Sequence, residues 1–308
     1  PYKVKINGTT ATYYFNQKTG YLTTGKARIV TYKGRKYLID SNGVVNTTAG
    51  LKFMKSSGKI YCVISSNGVL AANRAVTIQR NTYCFDKNGV MYTSGLRTVG
   101  KKTYYLKTVT TTSGYRLGVA QTGWQTVNGT KRYFNASGVL QTNKKIKDSN
   151  GNLYYTKKNG ILRTGAFKVG SSCYYGDENG KLVTGWFQRP DKKYNWYYYS
   201  SNGILKKKSF ISTGKNVYYV NALGCLVKGW YTVNGKRYYS TTDTVSASSG
   251  APTTGARVKG WQMIDGKKYY FNSKGVLRTT VGWFDTSKTG TYYISGDANV
   301  LTGWQNIN

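Results

Sequence analysis

A motif of about twenty residues recurs from one end of this chain to the other, and that period restricts the fold more than any other feature. Its clearest copy runs from Gly260 to Val281, GWQMIDGKKYYFNSKGVLRTTV. Trp261, Met263 and Ile264 make a short apolar strand, Asp265-Gly266 a tight turn, and Tyr269-Tyr270-Phe271 a second strand of strong β-formers. Aligning copies on the aromatic strand gives thirteen units, from Tyr13-Tyr14-Phe15 to Tyr292-Tyr293-Ile294, with a further one starting at Trp304. The turns downstream repeat as well, as SNGVL at 66–70, ASGVL at 136–140 and SKGVL at 273–277. One hairpin cannot bury its apolar face alone, so units of this length must stack on one another. The expectation is an all-β chain, a β-solenoid of about thirteen stacked β-hairpin repeats of about 20 residues, forming a single array over residues 1–308.

Two units are stretched by Ser/Thr/Gly/Ala-rich inserts at 107–123 and 240–259, each leading into a Gly-Trp pair. Such inserts are either tolerated surface loops or carriers of function. The chain shows no secretory signal and starts and stops within repeat units, so it reads as a segment of a longer polypeptide. No apolar run reaches the length that crosses a bilayer as a helix, so no transmembrane segment is expected.

Lys and Arg number 46 against 10 acidic residues, a net charge of +36 that draws in anionic polymers. The basic residues are spread along the chain rather than gathered on one arm or helix, so no specific nucleic-acid recognition is expected. They serve equally as a solvated face that protects sheet edges. With no histidine and no CxxC spacing among Cys62, Cys84, Cys173 and Cys225, neither a zinc site nor a His-dependent triad can be assembled. A Cys62–Cys84 disulfide is conceivable, but small buried side chains are the favoured reading of all four. Glu178 is the one glutamate; it lies with Asp177 in the turn GDENG, Asp40, Asp86, Asp265 and Asp297 are turn residues likewise, and turn propensity explains them all. No paired carboxylates remain for glycoside cleavage, so the expectation is a non-enzymatic module without cofactor or metal.

The stretches at 123–143 and 260–280 resemble the cell-wall-binding repeats of Gram-positive surface proteins. That group takes in pneumococcal choline-binding modules, glucan-binding repeats of streptococcal glucansucrases and the repetitive oligopeptides of large clostridial toxins. The resemblance covers essentially the whole chain. It implies a secreted or cell-surface protein whose repeats attach it to a polysaccharide: cell-wall teichoic acid, a dietary glucan or a host glycan. In the choline-binding branch a Trp precedes the Tyr pair and completes an aromatic cage for the quaternary ammonium. Here that slot reads Thr12, Lys36, Tyr61, Thr82, Thr103, Lys131, Leu153, Cys173, Trp196, Val217, Arg237, Lys268 and Thr291. Only Trp196 and Tyr61 suit a cage, which leaves one choline-type site among Trp186, Trp196 and a neighbouring tyrosine.

A neutral or anionic glycan suits the remaining chemistry, because sugar C–H faces lie on aromatic rings while hydroxyls meet polar partners. Candidate platforms are Trp124, Trp186, Trp230, Trp261, Trp283 and Trp304, each of which could equally be a core wedge. Strand alternation groups Lys131 and Tyr133 with Trp124, Tyr198 with Trp186 and Trp196, Arg237 and Tyr239 with Trp230, and Lys268 and Tyr270 with Trp261. The platforms that follow the inserts, Trp124 and Trp261, are the first choice. Two other readings stay open: a structural spacer without specific ligand, and the receptor-binding repeats of a toxin.

Overall fold

A computed structural model describes residues 1–304 apart from 7, 113, 193–194 and 287–289. The described residues hold 27 β-strands and a single 3-10 turn at Pro190–Lys192, with no α-helix. The strands pair into twelve two-stranded sheets and one three-stranded sheet. The chain divides into two compact units, residues 1–145 with 156–162 and residues 146–155 with 163–308.

Each hairpin is fixed locally by its turn. At Asp265-Gly266 both residues have positive φ, 49° and 73°, the pair of values that matches the twist of flanking strands in a two-residue connection. The turn sets the register, so Trp261 faces Tyr270 and Gly260 faces Phe271. The same register puts Trp124 opposite Tyr133 and Trp230 opposite Tyr239.

Hairpins join through the loop that follows each aromatic strand. An Asp or Asn at its start accepts two backbone N–H groups through one side-chain oxygen, as Asp86 does from Asn88 and Val90 and Asn272 from Lys274 and Val276. The Val-Leu segment then bonds backward to the preceding hairpin. In the first unit Leu70 N donates to Lys36 O at 2.9 Å and Leu140 N to Thr103 O at 2.8 Å. In the second, Leu226 N donates to Trp196 O and Leu277 N to Arg237 O, both at 2.9 Å. The apolar interior is a succession of small clusters. One joins Leu38, Met54, Tyr61, Val63 and Leu70; another joins Cys84, Val99, Tyr104, Leu106 and Ala120.

The two inserts take different forms. In the first, the aromatic strand extends through Lys102–Thr111 and pairs with Gly114–Ala120 as well as Gly95–Val99, so the insert is a further hairpin. Its Val119 buries beside Phe85 and Met91. The second insert forms no strand beyond Ser240. Its residues fold back on the hairpin 209–220 through Tyr218 Oη to Pro252 O at 2.8 Å and Asn216 Nδ2 to Ser246 O at 2.7 Å.

All four cysteines are free; Cys62 and Cys84 are buried, whereas Cys173 and Cys225 are half-buried. Burial pushes the Cys84 thiol up to about 12. A thiol reagent on the native protein is therefore expected to modify Cys173 and Cys225 well before Cys84, as read by peptide mass spectrometry; early labelling of Cys84 would contradict this packing.

The loop glycines lie at the closest approach between hairpins. A Cβ on Gly68 (φ +82°) would sit 2.5 Å from Val45 Cγ1 and 2.8 Å from Asn46 O, whereas one on Gly34 (φ +72°) would meet nothing within 4 Å. Both substitutions carry the left-handed backbone cost of about 1 kcal/mol, and only one adds an overlap. Gly68→Ala is expected to destabilise by roughly 1–3 kcal/mol more than Gly34→Ala in urea denaturation.

Candidate functional site

The candidate site is the seam between two hairpins, and its geometry follows from register. Trp124, Trp186, Trp230, Trp261 and Trp283 each stand across from a tyrosine of the aromatic strand, Tyr133, Tyr198, Tyr239, Tyr270 and Tyr293, and the slot residue lies two positions earlier on the same face. Ring centroids are 4.9 Å apart for Trp124–Tyr133 and Trp261–Tyr270, 5.1 Å for Trp230–Tyr239 and 5.2 Å for both Trp186–Tyr198 and Trp283–Tyr293. The next hairpin then offers the first tyrosine of its own pair. Trp186 meets Tyr218 and Trp230 meets Tyr269, each at 5.1 Å, and Trp261 meets Tyr292 at 4.4 Å. Each such contact is worth about 0.5–1.5 kcal/mol beyond buried area.

The tryptophans are neither sealed nor bare. Trp124, Trp186, Trp230 and Trp261 are half-buried, and Trp283 (68%) and Trp304 are exposed. A half-buried indole thus packs between two hairpins while part of it stays open to solvent.

Slot cations lie over these rings. Lys131 Nζ is 5.3 Å from the Trp124 centroid, the Arg237 guanidinium 4.3 Å from Trp230, and Lys268 Nζ 4.7 Å from Trp261 and 4.4 Å from Tyr292. The groups Trp124/Lys131/Tyr133, Trp230/Arg237/Tyr239 and Trp261/Lys268/Tyr270 are therefore brought together. Trp196 lies on the face of Tyr198 and Trp186, opposite Gln188. One assignment needs correction. In the third hairpin Tyr61 pairs with Lys52 and is 4% exposed, so it occupies the first-tyrosine position; the residue that accepts from the following loop is Ile60, through its carbonyl to Met91 N. Tyr61 is core and offers nothing to a cage.

Trp186 lines a cleft together with Tyr198. Thr184, Gly185, Trp186, Tyr198, Ser212, Thr213, Gly214, Ser249 and Gly250 enclose about 480 Å³. The Trp186 indole donates to Thr213 Oγ1 at 3.0 Å, which fixes the ring in its plane. One wall comes from the second insert, so that insert serves Trp186, which precedes it in the chain. Sequence reasoning missed Ser212, Thr213 and Ser249. Small polar residues carry no pattern of their own, and only the fold brings 249–250 beside 212–214. A larger cleft of about 620 Å³, lined by Leu38, Val45, Phe53 and Met54 among others, contains no tryptophan.

The carboxylates are occupied in structure. Asp40, Asp86 and Asp177 each accept two loop N–H groups. Asp191 binds Arg189 at 2.6 Å, and those hydrogen bonds hold its carboxyl below the usual carboxylate range. Burial pushes Tyr199 and Tyr231 up to about 12, so both stay neutral in the aromatic interior. No group of three or more His, Cys, Asp or Glu side chains among the described residues is placed to hold a metal. None of their helices is long and apolar enough to cross a membrane.

Residues 121–162 match the choline-binding repeat and residues 259–277 the cell wall binding repeat. Among curated proteins, Glucosyltransferase-S of Streptococcus mutans is 32% identical over 248 residues, covering 73% of this chain and 14% of that protein. Glucosyltransferase-I of Streptococcus downei is 26% identical over 365 residues, covering 94% of this chain and 22% of that protein. The chain thus spans less than a quarter of either relative. Among known structures, CbpJ from Streptococcus pneumoniae superposes with a TM-score of 0.58 at 22% identity, covering 89% of this chain and 100% of that one. Choline binding protein F from the same species, determined in the presence of a peptidoglycan analogue, gives 0.58 at 21% identity over 91% of this chain and 100% of its own. At these identities the structural likeness is one of fold.

The insert wall depends on the buried Tyr218 hydroxyl, which is also 3.3 Å from Asn216 Nδ2. Tyr218→Phe is expected to cost about 1 kcal/mol and to speed proteolysis within residues 241–256 of the otherwise folded protein. Unchanged cleavage kinetics would show that the loop is held by other means.

Proposed function

We propose, from the two stretches that match cell-wall-binding repeats of the choline-binding type, that the chain is the non-catalytic carbohydrate-binding part of a longer secreted or surface protein. Within each compact unit the hairpins continue as a β-solenoid, and the seams between them receive the polysaccharide. The observation that carries this reading is the Trp186 cleft, where a half-buried indole and Tyr198 offer stacking faces beside the hydroxyls of Ser212, Thr213 and Ser249. A pyranose needs that combination: apolar contact for its C–H face and convergent hydrogen-bonding groups for its hydroxyls.

Binding is multivalent. Trp124, Trp186, Trp230, Trp261 and Trp283 recur at the same point of five hairpins, so individually weak sites of about millimolar affinity add by effective concentration on a polymer. The net charge of +36 adds a long-range, salt-sensitive attraction to anionic wall polymers. The glucosyltransferase relatives favour a glucan as the polymer, and the likeness to a protein studied with a peptidoglycan analogue favours a wall component.

A spacer role suits one part of the chain. In the hairpins between residues 28 and 85 the position of the Trp–Tyr pair holds Ile29–Leu38, Leu51–Cys62 and Ala75–Cys84, which offer a sugar no ring. These hairpins carry length, and recognition begins at Trp124.

The test is retention of the purified chain on dextran, starch, mucin, isolated cell walls and walls stripped of teichoic acid, at low and high salt. Retention on at least one polymer is expected to survive high salt and to fall by about tenfold in Trp186→Ala with the fold intact. With no histidine present, retention is expected to be flat between about pH 5 and 8. Retention on every anionic polymer that disappears in salt would leave charge alone at work and remove the reading.

A further inference from the structure

The seam between the hairpins 260–271 and 282–294 differs in charge from the Trp186 cleft. Four rings converge there: Trp261 and Tyr270 from the first hairpin, Phe284 and Tyr292 from the second. Centroid distances are 4.7 Å for Tyr270–Phe284, 6.0 Å for Trp261–Phe284 and 4.4 Å for Trp261–Tyr292. All four are half-buried, so ring edges remain open to solvent. Two cations of the chain rest on this cluster. Lys268 covers Trp261 and Tyr292, and the Arg278 guanidinium lies 4.2 Å from the Phe284 centroid.

Neither cation has a carboxylate partner among the described residues. The one ion pair among the described residues is Arg189–Asp191, and the nearby Asp285 instead accepts from Thr291 Oγ1 at 3.3 Å. Arg278 Nε is buried without a hydrogen-bond partner. Two positive charges, half-withdrawn from water and held by rings, lack the counter-charge that their desolvation calls for. The ammonium of Lys268 also stands where a quaternary ammonium would have to go, and like charge excludes it.

We propose that this seam binds a pyranose bearing an anionic substituent, with Lys268 and Arg278 pairing the anion and the exposed ring edges receiving the sugar C–H face, and that it rejects choline. The idea rests on the carbohydrate-binding reading given above and assigns a different substrate class to this one seam. A carboxylate on a uronic acid and a phosphate on a wall polymer share the required chemistry. Charge-assisted hydrogen bonds to either are the stronger kind, and Arg278 presents a planar fork that matches both.

The test follows the Trp261 indole N–H signal of the full chain, assigned by its loss in Trp261→Phe, during titration at physiological salt. The probes are methyl β-D-glucuronide, methyl β-D-glucoside, glycerol phosphate, inorganic phosphate and choline. The glucuronide is expected to move this signal at concentrations about tenfold lower than the glucoside does, and choline not at all. Lys268→Met and Arg278→Gln are each expected to weaken the effect by about tenfold, and Lys268→Arg to keep it. Both side chains are half-buried, and an unchanged thermal melt shows that the fold persists.

Equal response to glucuronide and glucoside, no effect of Lys268→Met, or a choline response in the unaltered chain would each overturn the proposal. Inorganic phosphate acting as well as the glucuronide would reduce the seam to an ion site and overturn it too. Glycerol phosphate acting in place of the glucuronide would remove the need for a sugar ring and overturn it as well. A glucoside response at Trp186 with nothing at Trp261 sinks this inference alone, whereas silence of every tryptophan toward every sugar sinks the carbohydrate-binding reading.

Discussion

The backward hydrogen bond from each loop to the preceding hairpin is the interaction on which the rest of the structure depends. A lone two-stranded hairpin is marginal in water, because one apolar face stays wet and both edges keep unpaired backbone groups. Leu277 N on Arg237 O and Val300 N on Lys268 O satisfy part of that edge, and the same step carries Leu277 into the cluster with Ile264 and Phe271. The approach is close enough that a loop residue with a Cβ would overlap its neighbour, as at Gly138 against Ala120. Backbone chemistry therefore makes the contact, and the side chains around it are released to vary.

That division explains how one scaffold presents different chemistry at successive seams. The slot residue has two roles in separate parts of the molecule: its carbonyl receives the next loop, while its side chain stands beside the tryptophan. Trp196, Arg237 and Lys268 all accept the loop bond, to Leu226, Leu277 and Val300, yet they offer an indole, a guanidinium and an ammonium to the seam.

Charge follows the same logic. Asp40, Asp86 and Asp177 accept backbone N–H groups at the loop starts, where they fix geometry, and ten acidic residues leave most of the 46 basic ones without a counter-charge. What remains is a chain in which many cations find rings in place of acids, as Arg163 does over Phe167 at 5.2 Å and Arg257 over Phe210 at 5.0 Å. A cation on a ring keeps its charge available to a passing anion, whereas one in an ion pair does not.

Much of this was legible in the amino-acid sequence. Asp265-Gly266 and Asn128-Gly129 fix the turn, the turn fixes the register, and period-two alternation then puts Lys268, Tyr270 and Trp261 on one face. Those are local effects, set within a dozen residues, and local effects can be read from local sequence. Reading failed where alignment by composition replaced register, as at Tyr61, whose strand IYCVI has no second aromatic to mark its phase. Which hairpin the insert 240–259 would serve was decided only by tertiary packing. Tyr218 and Asn216 draw its residues back beside Trp186, and a bond between positions 34 apart in the chain leaves no trace in the pattern of either. The sequence by itself determined the hairpin, its repeat and its aromatic face, because turn chemistry and alternation act between neighbours; the tertiary structure decided which polar groups complete each seam, because those come from segments that meet only after the chain has folded.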